Sequence, residues 1–251
     1  MFNSNFFYTL YEKLFMNDFL SIVVKIFNDK NGKFKNKNLV VFDIGSYKGT
    51  FSKQLQNKFG EKKISFYLFD PLKKLINFDN ENLTNFYYFD YALDSTKPSK
   101  KKFYLNNFLH ASGSSLKGTS FKDIKYRFSR SLIAFFLNPF KRMVKIIEVK
   151  TNNLDNFCKN KKIRKIDILK IDTEGTELDV LNGSKKMIKK INVICLEIQC
   201  SEKEFKRRLT CINKILNKDF KILYKKKIYI ASIFTGIVSY DYVYVRKVIL
   251  N

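Results

Sequence analysis

From residue 38 onward, short apolar runs alternate with stretches of helical periodicity. Residues 39–44, 64–69, 85–89, 166–171, 193–198, 220–224 and 240–246 read as strands. Residues 50–58, 72–78 and 202–217 read as helices between them. Strands that are predominantly apolar rather than alternating, separated by helices, predict a parallel sheet covered on both faces, the α/β class. Such sheets bind ligands at the carboxyl ends of their strands, near the topological switch point.

Two segments depart from the alternation. Residues 6–27 place Phe7, Leu10, Leu14, Phe19, Val23 and Ile26 at helical spacing. They predict one or two helices packing on the main domain, joined by a polar Asn/Lys-rich connector at 29–37. The domain reading is therefore a helical appendage at 1–37 and a main domain at 38–251. The second departure is 117–145, with eight Lys/Arg and one acid, Asp123. On a helix, Phe121, Ile124, Phe128, Leu132 and Phe135 share one face and Lys122, Arg127 and Arg130 the other. Asn138-Pro139 ends it. This reads as a basic amphipathic insertion, either a lid over a pocket or a contact with an anionic membrane surface.

The chain has 251 residues, 45% of them hydrophobic, enough for a core and against wholesale disorder. No run of about 18 uncharged apolar residues predicts a membrane-spanning helix. No basic start followed by an apolar stretch predicts a secretion signal. Cys158, Cys195, Cys200 and Cys211 form no Cys-x-x-Cys pair, and His110 is the only histidine, so no zinc site is expected; a divalent ion on Asp172 and Glu174 would have too few visible ligands, and no metal is assigned. Reduced thiols fit a cytoplasmic location. The net charge of +25 attracts phosphate polymers and anionic membranes. It also matches a Lys/Asn-rich surface and Ile/Phe-rich interior of the kind AT-biased coding produces.

The chemistry gathers at predicted strand ends. After the first strand comes Asp43-Ile44-Gly45-Ser46-Tyr47-Lys48-Gly49-Thr50. Gly45 permits a tight turn and close approach of a ligand, and Gly49 close packing where the helix begins. Tyr47 stands where a dinucleotide fingerprint has its middle glycine, which disfavours a pyrophosphate and a nicotinamide oxidoreductase. Asp70, before Pro71, ends the second strand. There an acid accepts from ribose hydroxyls or caps the next helix. The fourth strand ends in Asp172, followed by Thr173-Glu174-Gly175-Thr176-Glu177. Of these carboxylates Asp172 is best placed to face the cleft.

Several motifs occur in an order that resembles the FkbM-type methyltransferases. They are Asp43–Thr50, Asp70-Pro71, Tyr91-Ala92-Leu93, Ser114-Ser115-Leu116, Thr151 with Leu154-Asp155-Asn156-Phe157, Lys170-Ile171-Asp172-Thr173-Glu174-Gly175 with Glu177, Val180-Leu181 with Gly183, and Leu196-Glu197-Ile198. The resemblance runs from about residue 38 to 247, and the Lys170–Glu177 segment is its most specific part. It implies a Rossmann-like, mostly parallel seven-stranded fold with helices on both faces. It also implies S-adenosylmethionine as methyl donor and a hydroxyl of a sugar, glycan or small metabolite as acceptor.

Carried over by position, Gly45 and Gly49, with Ser46 and Tyr47, would line the donor's methionine end. Asp43 would contact it or order the turn, Asp70 would hold the ribose, and Ala92 would lie beside the adenine. Asp172 and Glu174 would face the transfer site, where a base speeds deprotonation of an alcohol. His110 is a third candidate, since it titrates near neutrality. The family commonly has Ala-Asn where this chain has Ser46-Tyr47, and Glu-Pro where it has Asp70-Pro71.

Two other readings stay open. One is an RNA methyltransferase on the same fold. Specific nucleic-acid binding is not expected, because the basic residues are spread along the chain without a separate RNA-binding module. The other is a membrane-surface binding protein without catalysis, peripheral at the membrane through 117–145.

Overall fold

The computed structural model describes residues 17–28, 34, 37–72, 85–106, 114–117, 144–228 and 237–250. His110, most of the predicted helix at 72–78 and most of the basic insertion at 117–145 lie outside them.

The chain opens with helix α1 (Asn17–Phe27) and strand β1 (Leu39–Ile44). Helix α2 (Thr50–Phe59) and strands β2 (Ile64–Phe69), β3 (Phe86–Phe89) and β4 (Ala92–Leu93) follow. Next are β5 (Ser99–Asn106), β6 (Val144–Asn152), α3 (Leu154–Asn160), β7 (Ile166–Ile171) and α4 (Glu177–Asn182). The chain closes with β8 (Ile191–Ser201), α5 (Glu202–Leu216), β9 (Phe220–Ile228), β10 (Ile237–Arg246) and α6 (Lys247–Leu250).

A seven-stranded sheet has the order β3-β2-β1-β7-β8-β10-β9. The pairs from β3 to β8 are parallel, and β10 runs antiparallel to both β8 and β9. The order reverses between β1 and β7, which is the switch point where a ligand is expected.

Adjacent residues on each central strand point to opposite faces, and both faces are covered. Val41, Ile168, Val193 and Val243 pack under α1 and α2, against Leu20, Val23, Phe27, Phe51 and Leu55. Phe42, Leu169, Ile194 and Tyr242 pack under α3, α4 and α5, against Leu154, Phe157, Leu181, Ile212 and Leu216. Each such aliphatic or aromatic side chain contributes about 1.5–3 kcal/mol of burial. Two covered faces explain why the strands read as continuous apolar runs.

A second sheet, ordered β4-β6-β5, has no counterpart in the pattern reading. Its strand β5 begins Ser-Lys-Lys-Lys, a composition that hides the alternation. Lys101 turns inward to Asp94 Oδ2 at 2.6 Å, while Lys100 remains at the surface beside Glu148. Phe103 and Val149 face Leu72 and form a small core of their own. Val144 and Lys145, read from the sequence as the end of the insertion, are the first residues of β6. Gly183 fastens this sheet to the main one: a Cβ there would lie 2.0 Å from the Asp94 carbonyl oxygen. Among the described residues no helix is long and apolar enough to cross a membrane.

Candidate active site

The loop after β1 is locked to both neighbouring strands. The Gly45 and Ser46 N–H groups donate to the Phe69 carbonyl at the end of β2. The Asp172 N–H, at the end of β7, donates to the Ile44 carbonyl at 2.9 Å. Gly45 is left-handed at φ +76°, and a Cβ there would lie 1.8 Å from the Asp172 carbonyl oxygen. The glycine loop and the end of β7 therefore touch through backbone. Gly49, also left-handed, caps α2.

Tyr47 is left-handed too, at φ +46°. A non-glycine residue there carries strain of order 1–2 kcal/mol, which Asn tolerates better than Tyr. Two contacts hold it. Its N–H donates to Asp70 Oδ2 at 2.9 Å, and its ring packs against the small core of Leu72, Phe103 and Val149. The Ser46 hydroxyl is buried and has no hydrogen-bond partner among the described residues.

Asp70 is 7% exposed, and its other oxygen accepts from the Leu72 N–H at 2.9 Å. Asp70 thus closes the turn at Pro71-Leu72 and bonds the glycine loop as well, while the predicted helix it would cap lies mostly outside the described residues. Burial pushes the Asp70 carboxyl up to about 6, against the downward pull of the Leu72 and Tyr47 N–H groups. Ala92 is half-buried, three residues past the end of β3.

Asp43 is fully buried. Its Oδ2 accepts from Ser52 Oγ on α2 at 2.8 Å, and its Oδ1 lies 3.3 Å from Lys170 Nζ. Asp43 thus ties the end of β1 to α2 and to β7. Lys170 Nζ lies 3.2 Å from Asp172 Oδ2 as well. Burial pulls the Lys170 pKa down, but the Asp43 and Asp172 carboxylates outweigh it and leave it raised.

Asp172 opens a row of acids that the sequence did not display. Glu197 on β8 and Asp241 on β10 are cross-strand partners, and Ser239 Oγ donates to Glu197 Oε1 at 2.8 Å. Burial raises the Glu197 carboxyl, and Asp172, Asp241 and Glu174 raise it further. Burial and Asp172 push Asp241 up to about 7, opposed by Lys170 and Lys226. Glu174 is left-handed at φ +54°, in the loop after β7. Glu177 closes that loop from below. It is buried, accepts from the Gly175 N–H at 2.6 Å, and lies 3.6 Å from Arg208 on α5. No group of three or more His, Cys, Asp or Glu among the described residues is arranged to hold a metal ion.

These carboxyls predict how stability varies with pH. Burial pushes Asp70 up to about 6, and Glu177 and Asp241 each up to about 7. Raised carboxyls bind protons more tightly folded than unfolded, so their contribution is full below the unfolded value near 4 and is lost as pH rises to about 7. The melting temperature is therefore expected to be several degrees higher at pH 5 than at pH 8. A melting temperature that climbs over this range in a scanning-calorimetry series would contradict the burial of these groups.

Arg208, Glu197 and Asp241 were not singled out as site residues. Glu197 lies in the Leu196-Glu197-Ile198 motif, which carries no site role by itself; Glu197 and Asp241 become neighbours once β8 and β10 are known to pair, and Arg208 falls one helix away.

Among solved structures, the chain is similar to an FkbM methyltransferase from Methylobacillus flagellatus at 12% identity and TM-score 0.46, covering 82% of this chain and 43% of that one. It is similar to TrmK of M. capricolum, solved with S-adenosylhomocysteine, at 15% identity and TM-score 0.45, covering 91% and 67%. It is also similar to the N-methyltransferase NodS from Bradyrhizobium japonicum at 8% identity and TM-score 0.45, covering 94% and 98%. The chain thus spans under half the length of the FkbM structure. No curated protein matches it significantly. The family model described as the methyltransferase FkbM domain matches residues 43–224, from the acid before the glycine loop through the second acidic motif to β9. The chain belongs to the FkbM methyltransferase-domain family.

Proposed function

We propose that this protein transfers a methyl group from S-adenosylmethionine to a hydroxyl of a sugar, glycan or small metabolite. The observation that carries the reading is the backbone lock between the Gly45 loop and Asp172. It sets a donor-type loop and an acceptor-side acid side by side at the switch point. The residues present fit the donor. Gly45 leaves bare backbone, Ser46 offers a buried hydroxyl without a partner among the described residues, and the loop opens onto the N-terminus of α2.

S-adenosylmethionine, when bound, supplies an electrophilic methyl on a sulfonium. The chain's own residues do the rest. Gly45, Ser46, Tyr47 and Gly49 hold the methionine end, Asp70 the ribose, and Ala92 borders the adenine. Lys170 holds Asp172 Oδ2, and Asp172 Oδ1 takes the acceptor's hydroxyl proton as the oxygen gains the methyl. Such a base contributes about 10²–10⁴ in rate. Glu174 orients the acceptor from the same loop.

Calorimetric titration with S-adenosylmethionine and S-adenosylhomocysteine tests the donor, with Asp70→Ala as comparison. We expect micromolar binding, weakened about 10- to 100-fold by the substitution, the value of one or two hydrogen bonds to a carboxylate. No heat from either ligand with folded protein removes the reading. Transfer of labelled methyl to a panel of sugars, and not to RNA, tests the acceptor class. RNA methylation that survives moderate salt would favour the RNA reading, which rests on the net charge of +25.

A further inference from the structure

Lys170 is a charge within the sheet at the point where the donor loop and the acidic row meet. It is paired in register with Asp43 across β1 and β7. Its Nζ lies 3.3 Å from Asp43 Oδ1, 3.2 Å from Asp172 Oδ2 and 3.5 Å from the Gly45 carbonyl oxygen. The side chain is 14% exposed and its Nζ lies 5.6 Å from the centre of the Phe51 ring. One ammonium therefore touches the acid behind the glycine loop, the loop's own backbone, and the acid assigned to the acceptor.

The surroundings say why a cation is needed there. Asp172 is two residues beyond Lys170, so it projects to the same face. By register, Glu197 on β8 and Asp241 on β10 continue that row. Glu174 adds a further carboxylate that acts on Glu197. On the far side Lys226 of β9 faces Asp241 and is 2.9 Å from Asp18 of α1. Arg208 is engaged below with Glu177 and Glu204. Toward the glycine loop, Lys170 is the cation that the row meets.

We propose that Lys170 is a positioning residue for methyl transfer: its ammonium ties Asp172 to Asp43 and Gly45, fixing the acceptor-side carboxylate relative to the donor loop. The proposal rests on the functional reading above, which gives Asp172 its role. A lysine serving only as filler between β1 and β7 would act through its stem, and methionine would replace it.

The test reads charge and needs neither donor nor acceptor. Carboxyl-carbon resonance titration of Asp241, whose carboxyl is pushed up to about 7, is compared in the unsubstituted protein, Lys170→Met and Lys170→Arg. Methionine keeps the bulk and removes a charge that pulls Asp241 down, so the midpoint is expected to rise by about one unit. Arginine is expected to restore it. An unmoved midpoint in folded Lys170→Met overturns the proposal. Where Lys170→Met does not fold, the Lys170 Nζ nitrogen resonance decides instead, comparing the unsubstituted protein with Asp172→Asn. A shift larger than that of any other lysine supports the tie, and an unmoved signal overturns it. A shifted signal in a protein that binds neither S-adenosylmethionine nor its product would leave the tie standing and bring down the functional reading.

Discussion

Gly45→Ala is expected to abolish S-adenosylhomocysteine binding and lower the melting temperature by about 10 °C. The backbone at Gly45 is left-handed, at φ +76°, where a Cβ costs about 1–2 kcal/mol. The new methyl would also lie 1.8 Å from the Asp172 carbonyl oxygen and 2.8 Å from its carbon. Neither partner is a flexible side chain, so the backbones of the loop and of the β7 end must separate. That breaks the Asp172 N–H bond to Ile44 and disturbs the Gly45 and Ser46 bonds to Phe69. A total near 3 kcal/mol, at about 2–4 °C per kcal/mol for a chain of this size, gives the expected drop.

Gly60→Ala is the control. Gly60 also has a positive φ, +61°, with ψ −126°, a region that glycine alone adopts readily, but nothing lies within 4 Å of the added carbon. It should cost only backbone strain, about 1–3 kcal/mol, and leave binding intact. Melting scans and calorimetric titration of the two variants separate strain from clash. A Gly45→Ala protein that binds S-adenosylhomocysteine within threefold of the parent would show that the loop and β7 are not locked as described.

Much of the sheet was legible because its strands are buried twice. Ile64–Phe69 and Ile166–Ile171 have the limits their apolar runs give, since both faces meet helices and the few polar residues within them, Ser65, Asp167 and Lys170, do not break the runs. The small sheet was hidden for the opposite reason. Lys100 and Lys101 on β5 point to opposite faces, one to surface Glu148 and one to buried Asp94, and the sequence does not say which lysine has an acid waiting.

The site divides the same way. Gly45, Asp70 and Asp172 were legible as residues at strand ends, and they lie at the ends of β1, β2 and β7. The ion pairs of Lys170 were not, because they depend on the β1–β7 register that sets it opposite Asp43. Several motif residues proved to be fasteners. Asp155 accepts from the Lys186 and Met187 N–H groups, and Gly183 admits the Asp94 carbonyl. A shared motif in this fold thus marks how the site is held as much as what it does.

Glu177 is the fastener with the most to lose. Its carboxyl is 1% exposed, accepts from the Gly175 N–H at 2.6 Å and stands 3.6 Å from the Arg208 guanidinium. Arg208 in turn donates to the Gly175 carbonyl at 2.9 Å and to Glu204 at 3.1 Å. The two side chains grip both ends of the Gly175 peptide, beside left-handed Glu174 and three residues after Asp172. Glu177→Ala removes one grip and leaves a buried N–H and a largely buried guanidinium short of a partner. Breaking a buried pair from one side costs about 3–5 kcal/mol, more than either surface partner would. Arg208→Ala should cost less, because Glu177, already pushed up to about 7 by burial, takes a proton once the cation that holds it down is gone. Urea unfolding of both variants at pH 7 is expected to rank Glu177→Ala well below Arg208→Ala in stability, and amide exchange in residues 172–176 to speed up in both. Equal losses would mean that the carboxylate is ionised and that the pair, rather than Glu177, holds the loop. A loss under about 1 kcal/mol for Glu177→Ala would mean that water replaces the carboxyl and that the acidic loop is shaped by its own backbone.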